Sequence, residues 1–156
     1  MHRQKITPFL WFDKEAGEAA KFYTSVFKDA KILSTQTMTD TPSGTVEIVD
    51  IELFGQRFTL MSAGPLFKFT EAISLVVDCE DQEEVDAYWG KLSAVPESEQ
   101  CGWLKDKYGL SWQIVPKRLG ELLSDPDREK AGRATQAMLK MKKLVIADLE
   151  KAAAGE

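Results

Sequence analysis

FGQRFTL (Phe54–Leu60) and YGLSWQI (Tyr108–Ile114) lie 54 residues apart and share one grammar: aromatic, glycine, two variable residues, aromatic, polar, aliphatic. Each phrase closes a longer series that also recurs. In the first series Ile6–Phe12 is apolar and reads as a strand. Glu15–Phe27 follows, with Ala19, Phe22, Tyr23 and Val26 at i, i+3, i+4 and i+7, one stripe of an amphipathic helix. Lys31–Thr39 reads as a strand, Asp40–Gly44 (DTPSG) as a turn, and Thr45–Leu53 and Gln56–Ser62 as two strands joined at Gly55. The second series starts at Ala72. Ile73–Cys79 reads as a strand and Gln82–Ser93 as a helix whose stripe is Val85, Tyr88, Trp89 and Leu92. Adding 66 carries the first stripe onto the second, residue by residue. After Val95 and Pro96 the chain is short and loop-rich, and Cys101–Lys105 and Leu110–Val115 read as strands about Gly109. The offset there has fallen from 66 to 54, so the second copy has lost about a dozen residues between its helix and its last strand, where loops accept deletions. The recurrence of strand, helix stripe and terminal phrase in one order predicts a duplication. Phe58 and Trp112, with the aromatics before the two glycines, are expected to pack on the helices.

Beyond Pro116 the pattern changes. Leu119–Leu123 reads as a short helix and Ser124–Asp127 (SDPD) as a turn or helix N-cap. Arg128–Ala154 reads as one long helix with Ala134, Met138, Met141, Leu144, Val145 and Leu149 on its apolar face. That stripe must be buried, against the duplicated part or against a second chain. Lys140–Lys143 reads as a solvated stretch of this helix.

Composition narrows the function classes. The 156 residues are 44% hydrophobic and 29% charged, an ordinary globular balance. A chain of this size buries about 70% of its unfolded surface, enough for one core. The net charge of −5, without a basic patch, argues against nucleic acid. No apolar run approaches the roughly 20 residues of a membrane span. The start, MHRQKITPFLWF, has no signal-like apolar stretch, so a cytoplasmic location is expected. Cys79 and Cys101 form no CxxC pair and read as two small buried thiols. No GxSxG, Walker loop, HExxH or strand-borne GxG is present.

Four stretches together carry a family resemblance: PFLWFDKEAGEAAKFYTSVF (Pro8–Phe27), GPLFKFTEAISLVVDCEDQEEVDAYW (Gly64–Trp89), CGWLKDKYGLSWQIVP (Cys101–Pro116) and QAMLKMKKLVIADLE (Gln136–Glu150). They resemble the PhnB-like family, some of whose members carry the name 3-demethylubiquinone-9 3-methyltransferase. That family sits within the vicinal oxygen chelate superfamily of glyoxalase I, bleomycin-resistance proteins and extradiol dioxygenases. The resemblance implies an α+β glyoxalase/bleomycin-resistance fold. Two tandem βαβββ modules, 5–63 and 71–116, would form a curved mixed-sheet cup within a duplicated domain, 1–116. A C-terminal helical extension, 117–156, would pack on that domain or on the partner of a homodimer.

In metal-using relatives the cup holds a divalent ion through His, Glu or Gln on the first and last strand of each copy. Matched motif to motif, those positions here are Pro8, Thr59, Ser74 and Gln113. None is His or a carboxylate, and the one histidine, His2, belongs to the N-terminal stretch and matches none of the four positions. The standard divalent site therefore reads as lost, no cofactor is expected, and glyoxalase-like or dioxygenase-like chemistry loses its support. Alternation turns Asp50 and Glu52 away from the helices if Ile51 and Leu53 face them. These two, with Asp78, are the candidate bases, against the reading that they are merely solvated. Leu10, Phe12, Thr59, Met61, Ser74, Val76 and Gln113 are expected to line one concave face, a small-molecule pocket with an apolar wall and a few hydrogen-bonders. The four tryptophans read as packing between sheet and helix. The linker Gly64–Thr70 would cap the cup, with Lys68 as an anion contact. A metal-free pocket that binds a small organic molecule is the first reading. A superfamily enzyme with a non-standard site and a demethylubiquinone methyltransferase are the alternatives, the latter without a cofactor motif.

Overall fold

The computed structural model describes residues 4–156, so His2 lies outside the described residues. Its elements run β1 (Phe9–Phe12), α1 (Ala16–Val26), β2 (Ala30–Thr41), β3 (Gly44–Leu53), β4 (Gln56–Ser62), β5 (Ser74–Cys79), α2 (Gln82–Leu92), a 3₁₀ turn (Pro96–Ser98), β6 (Trp103–Lys105), β7 (Ser111–Pro116), α3 (Lys117–Leu123), α4 (Arg128–Leu139) and α5 (Ile146–Ala154). The chain divides into two units, one reaching to Phe69 and the other spanning Thr70–Glu156. This is the expected α+β architecture.

In the first unit the strand order is β1-β4-β3-β2. β1 lies parallel to β4 because α1 carries the chain back between them, whereas β2, β3 and β4 form an antiparallel meander. Leu53 and Gln56 are joined by Phe54 and Gly55 at φ 49° and 78°, the primed-turn geometry that follows strand twist. α1 covers one face of this sheet. Ala16, Ala19, Ala20, Tyr23 and Val26 meet Val49, Ile51, Phe58 and Leu60 in a shared core. The helical stripe thus centres on Tyr23, with Phe22 at its margin. α1 has no cap from Glu15. The Ser62 hydroxyl on β4 accepts from the Ala16 N–H at 2.9 Å and supplies one.

The second unit repeats the plan with one strand fewer, order β5-β7-β6. The strand matching β2 is absent, its place in the chain taken by the 3₁₀ turn and flanking loop, where the sequence offset drops. Val85, Tyr88 and Leu92 of α2 pack on the face that carries Leu104, Trp112 and Ile114. Asp81 caps α2 by accepting from the Glu84 N–H at 2.9 Å, while Glu84 accepts from the Glu80 N–H at 2.9 Å.

The C-terminal region corrects the expectation of one long helix. α4 stops at Leu139, and α5 starts at Ile146 and folds back along it. The intervening segment is held by module two. Cys101 and Gly102 donate to Met141 O and Lys142 O at 2.7 and 2.8 Å. The Gln82 side chain donates to Leu144 O at 3.0 Å and accepts from the Ile146 N–H at 2.7 Å. Lys143, read from sequence as solvated helix, is paired with Asp86 at 2.9 Å. Breaking the helix frees Leu144 to drop, fully buried, among Leu119, Leu122, Ala134, Leu149 and Ala153. Gly102, at φ 90°, makes this approach possible, since a Cβ there would stand 3.0 Å from Leu144 Cδ1. The extension therefore packs on module two of its own chain.

Candidate ligand faces of the two sheets

Each sheet has one face under its helix and one face turned away from it. In module one the ladders place Phe9 beside Thr59, Trp11 beside Met61, Asp50 beside Thr59, and Ser34 beside Asp50. Paired residues share a face. The face away from α1 thus carries Phe9, Trp11, Ser34, Ile48, Asp50, Glu52, Arg57, Thr59 and Met61.

Leu10 and Phe12 are not among them, which corrects the sequence reading. They pair with Leu60 and Ser62, are 7% and 2% exposed, and belong to the core under α1. The cause is a one-residue difference in the strand–helix loop. Asp13–Glu15 separate β1 from α1, whereas only Glu80 and Asp81 separate β5 from α2. The helices repeat at an offset of 66, but the ladders make Phe9, paired with Thr59, the counterpart of Val76, paired with Gln113. Strand-one offset is therefore 67, and the counterpart of Ser74 is Thr7, not Pro8. Pro8 contributes only its backbone, its carbonyl accepting from the Thr59 N–H at 3.0 Å.

The polar residues of the module-one face bond to one another. Thr59 Oγ1 donates to Asp50 Oδ1 at 2.6 Å, Ser34 Oγ donates to Asp50 Oδ2 at 3.3 Å, and Arg57 stands 3.7 Å from that same oxygen. Glu52 is the ladder partner of both Lys31 and Arg57. The linker bears on this face too. Trp11 Nε1 donates to Gly64 O at 2.9 Å, and the Phe67 ring stands edge-on to the Trp11 ring at 5.0 Å. Trp11 therefore packs under the linker and not under a helix.

In module two the face away from α2 carries Ser74, Val76, Asp78, Trp103, Lys105, Ser111 and Gln113. Gln113 Nε2 donates to Ser74 Oγ at 2.9 Å. Val76 is 55% exposed beside them. Asp78 is exposed, and with Glu84 and Asp81 its charge adds to burial in pushing the Cys79 thiol up to about 12. Of the four tryptophans, Trp112 fulfils the packing expectation. Trp89 lies at the helix margin and donates to Glu99 Oε2 at 2.8 Å, and Trp103 lies on the open face.

Sequence reasoning missed Asp106. It is fully buried, its Oδ1 accepting from the Tyr108 and Leu110 N–H groups at 2.8 and 3.1 Å and its Oδ2 from Trp112 Nε1 at 2.9 Å. The signal was present in DKYG, an acidic residue heading a glycine turn, a pattern in which the side chain bonds the backbone two residues on.

The side chains at Thr7, Thr59, Ser74 and Gln113 are three hydroxyls and one amide, neutral oxygens that bind divalent ions weakly. Among the described residues no group of three or more His, Cys, Asp or Glu is placed to hold a metal ion. No described helix is long and apolar enough to cross a membrane.

Comparison with known proteins places this architecture. The PhnB protein from Bacillus cereus is 37% identical, over 72% of this chain and 99% of that one, with a TM-score of 0.61. The fosfomycin resistance protein FosX from Listeria monocytogenes, solved with Mn(II) and dihydroxypropylphosphonic acid, is 16% identical over 74% of this chain and 93% of its own, with a TM-score of 0.53. Protein PA1353 from Pseudomonas aeruginosa is 14% identical over 73% and 98%, with a TM-score of 0.54. The latter two share the fold. No curated protein sequence matches. The family model described as 3-demethylubiquinone-9 3-methyltransferase matches residues 4–115. The chain belongs to that family and is PhnB-like.

Proposed function

We propose that this chain binds a small organic molecule on the open faces of its sheets without a resident divalent ion. The observation that carries the reading is the state of the superfamily's ligand positions. Ser74 and Gln113 bond each other, and Thr59 bonds Asp50. Such groups orient an organic ligand by hydrogen bonds but do not grip a cation. Phe9, Met61 and Val76 supply apolar surface around them. FosX was solved with Mn(II) bound, and on the proposed reading this chain holds no such ion.

On this reading Asp50 is a structural acceptor. A general base needs an oxygen free to receive a substrate proton, and both Asp50 oxygens already accept from neighbours. Glu52 has Arg57 and Lys31 beside it on the ladder. The working form is taken to be a homodimer in the cytoplasm. Exposed Ile6 and Ile73 offer apolar surface to a second copy, and two free cysteines suit a reducing compartment.

Native mass spectrometry of protein taken gently from cells tests the proposal. The expected spectrum has a dimer with a bound organic mass. Amides around Thr59, Ser74 and Gln113 are expected to shift in NMR when that compound is added back. A saturable binding heat with S-adenosylmethionine would instead favour the methyltransferase that the family name describes and would overturn this reading.

A further inference from the structure

A depression of about 360 Å³ opens on module two beside the Ser74–Gln113 pair, lined by Glu71, Glu97, Trp103, Lys105 and Ser111 among others. Ser111 is 1% exposed, and its hydroxyl has no hydrogen-bond partner among the described residues. Buried hydroxyls are ordinarily satisfied, so an orphan in the lining of a depression leaves one bond to be made by a water or by a ligand atom. Lys105 is the ladder partner of Ser111, which sets its ammonium stem on the same face. Its side chain is 23% exposed and is paired with Glu71, whose own side chain is 62% exposed and whose carboxyl it holds below the usual range.

Module one shows what fills this spot when it is closed. The ladder pair Lys105–Ser111 corresponds to Glu52–Arg57, and the pair Trp103–Gln113 to Asp50–Thr59. There the long Arg57 side chain lies over the sheet toward Asp50. In module two a serine stands in place of the arginine and an indole in place of the carboxylate. The exchange opens a depression with a flat apolar wall and two donors side by side.

We propose that this depression binds a small organic monocarboxylate with a flat apolar body, its carboxylate accepting from Lys105 Nζ and Ser111 Oγ in the place that Glu71 now occupies on Lys105. The assignment rests on the reading of the open faces as the ligand surface and adds the ligand's chemical class. Glu71 is an internal carboxylate that yields to an incoming one, so charge is exchanged one for one. A dianion would set a second negative charge beside Glu71 and Glu97, and a cation would meet Lys105. The indole of Trp103 takes the flat body of the ligand by stacking.

The test is an amide-detected NMR titration of the full chain with benzoate, and with benzamide as its neutral isostere, at constant ionic strength. Benzoate is expected to shift the Trp103–Ser111 amides saturably and to bind roughly tenfold more tightly than benzamide, the worth of a charge-assisted hydrogen bond. Glu71→Gln is expected to tighten benzoate several-fold by removing the internal competitor, an effect that loss of a merely structural ion pair would not produce. Ser111→Ala is expected to weaken it several-fold with an otherwise unchanged spectrum. Equal affinity for benzoate and benzamide, or no gain in Glu71→Gln, would overturn the carboxylate assignment while leaving the open faces as a ligand surface. Saturable shifts confined to Thr59, Ser74 and Val76 would overturn the placement alone, and no shift at any open-face amide would overturn both.

Discussion

Asp106 ties the last hairpin together from inside. Two backbone N–H groups and the Trp112 indole converge on its carboxylate inside the fold. Asp106→Ala removes the acceptor of three donors, two of these bonds being buried, and is expected to cost about 3 kcal/mol, read by denaturant unfolding. Cys79 provides a second residue-scale expectation. Burial first, then Glu84, Asp78 and Asp81, raise its thiol from 9.0 to about 12. The folded state therefore holds this proton more tightly than the unfolded state. The resulting stabilisation is complete below pH 9 and is lost as pH rises toward 12. Cys79→Ala is expected to flatten that alkaline decline in an unfolding series. In the native protein at neutral pH, Cys79 should resist a thiol reagent while Cys101, half-buried, reacts first. At this scale period 2 alone puts Asp50, Glu52, Thr59 and Met61 on the face away from α1. Sequence reading failed for Leu10 and Phe12 because a single extra loop residue flips a whole strand, and no pattern inside PFLWF reports the length of the loop that follows.

Elements were legible where local chemistry sets them and illegible where distant residues do. Asp127 at the end of SDPD caps α4, as its sequence suggests, accepting from Glu129 and Lys130 N–H groups at 3.1 and 3.4 Å. The break at Lys140–Val145 has no such mark, since KMKKLVIADLE keeps an apolar helical period straight through it. The segment leaves the helix because Cys101, Gly102 and Gln82, all far away in sequence, supply its carbonyls and N–H groups with partners, and because Leu144 gains full burial. Gln82→Ala removes two of those bonds. It is expected to cost about 1–2 kcal/mol and to raise hydrogen exchange at Ile146 well above that of mid-helix amides in α4, measured by mass spectrometry. An unchanged exchange rate there would show that Leu144 packing alone fixes the break. The duplicated strand–helix pattern was readable for the opposite reason. Each stripe lies on one helix and each terminal phrase on one strand, so every signal is local. The absent counterpart of β2 left only a shortened interval.

For the whole molecule, fold and function are legible to different degrees. The fold follows from the duplication and from membership of the PhnB-like family. The fold does not fix the chemistry, because related scaffolds host different reactions and some only bind. On the faces away from the helices Ser74 and Gln113 bond each other and Thr59 bonds Asp50. That arrangement suits a ligand recognised by hydrogen bonds and apolar contact, with Trp103, Lys105 and Ser111 giving module two a character that module one lacks. The most direct measurement is elemental analysis of the protein prepared without chelator and without added metal. Far less than one divalent ion per chain is the result expected of a metal-free binding site; one tightly retained transition ion per chain, surviving gel filtration, would contradict it.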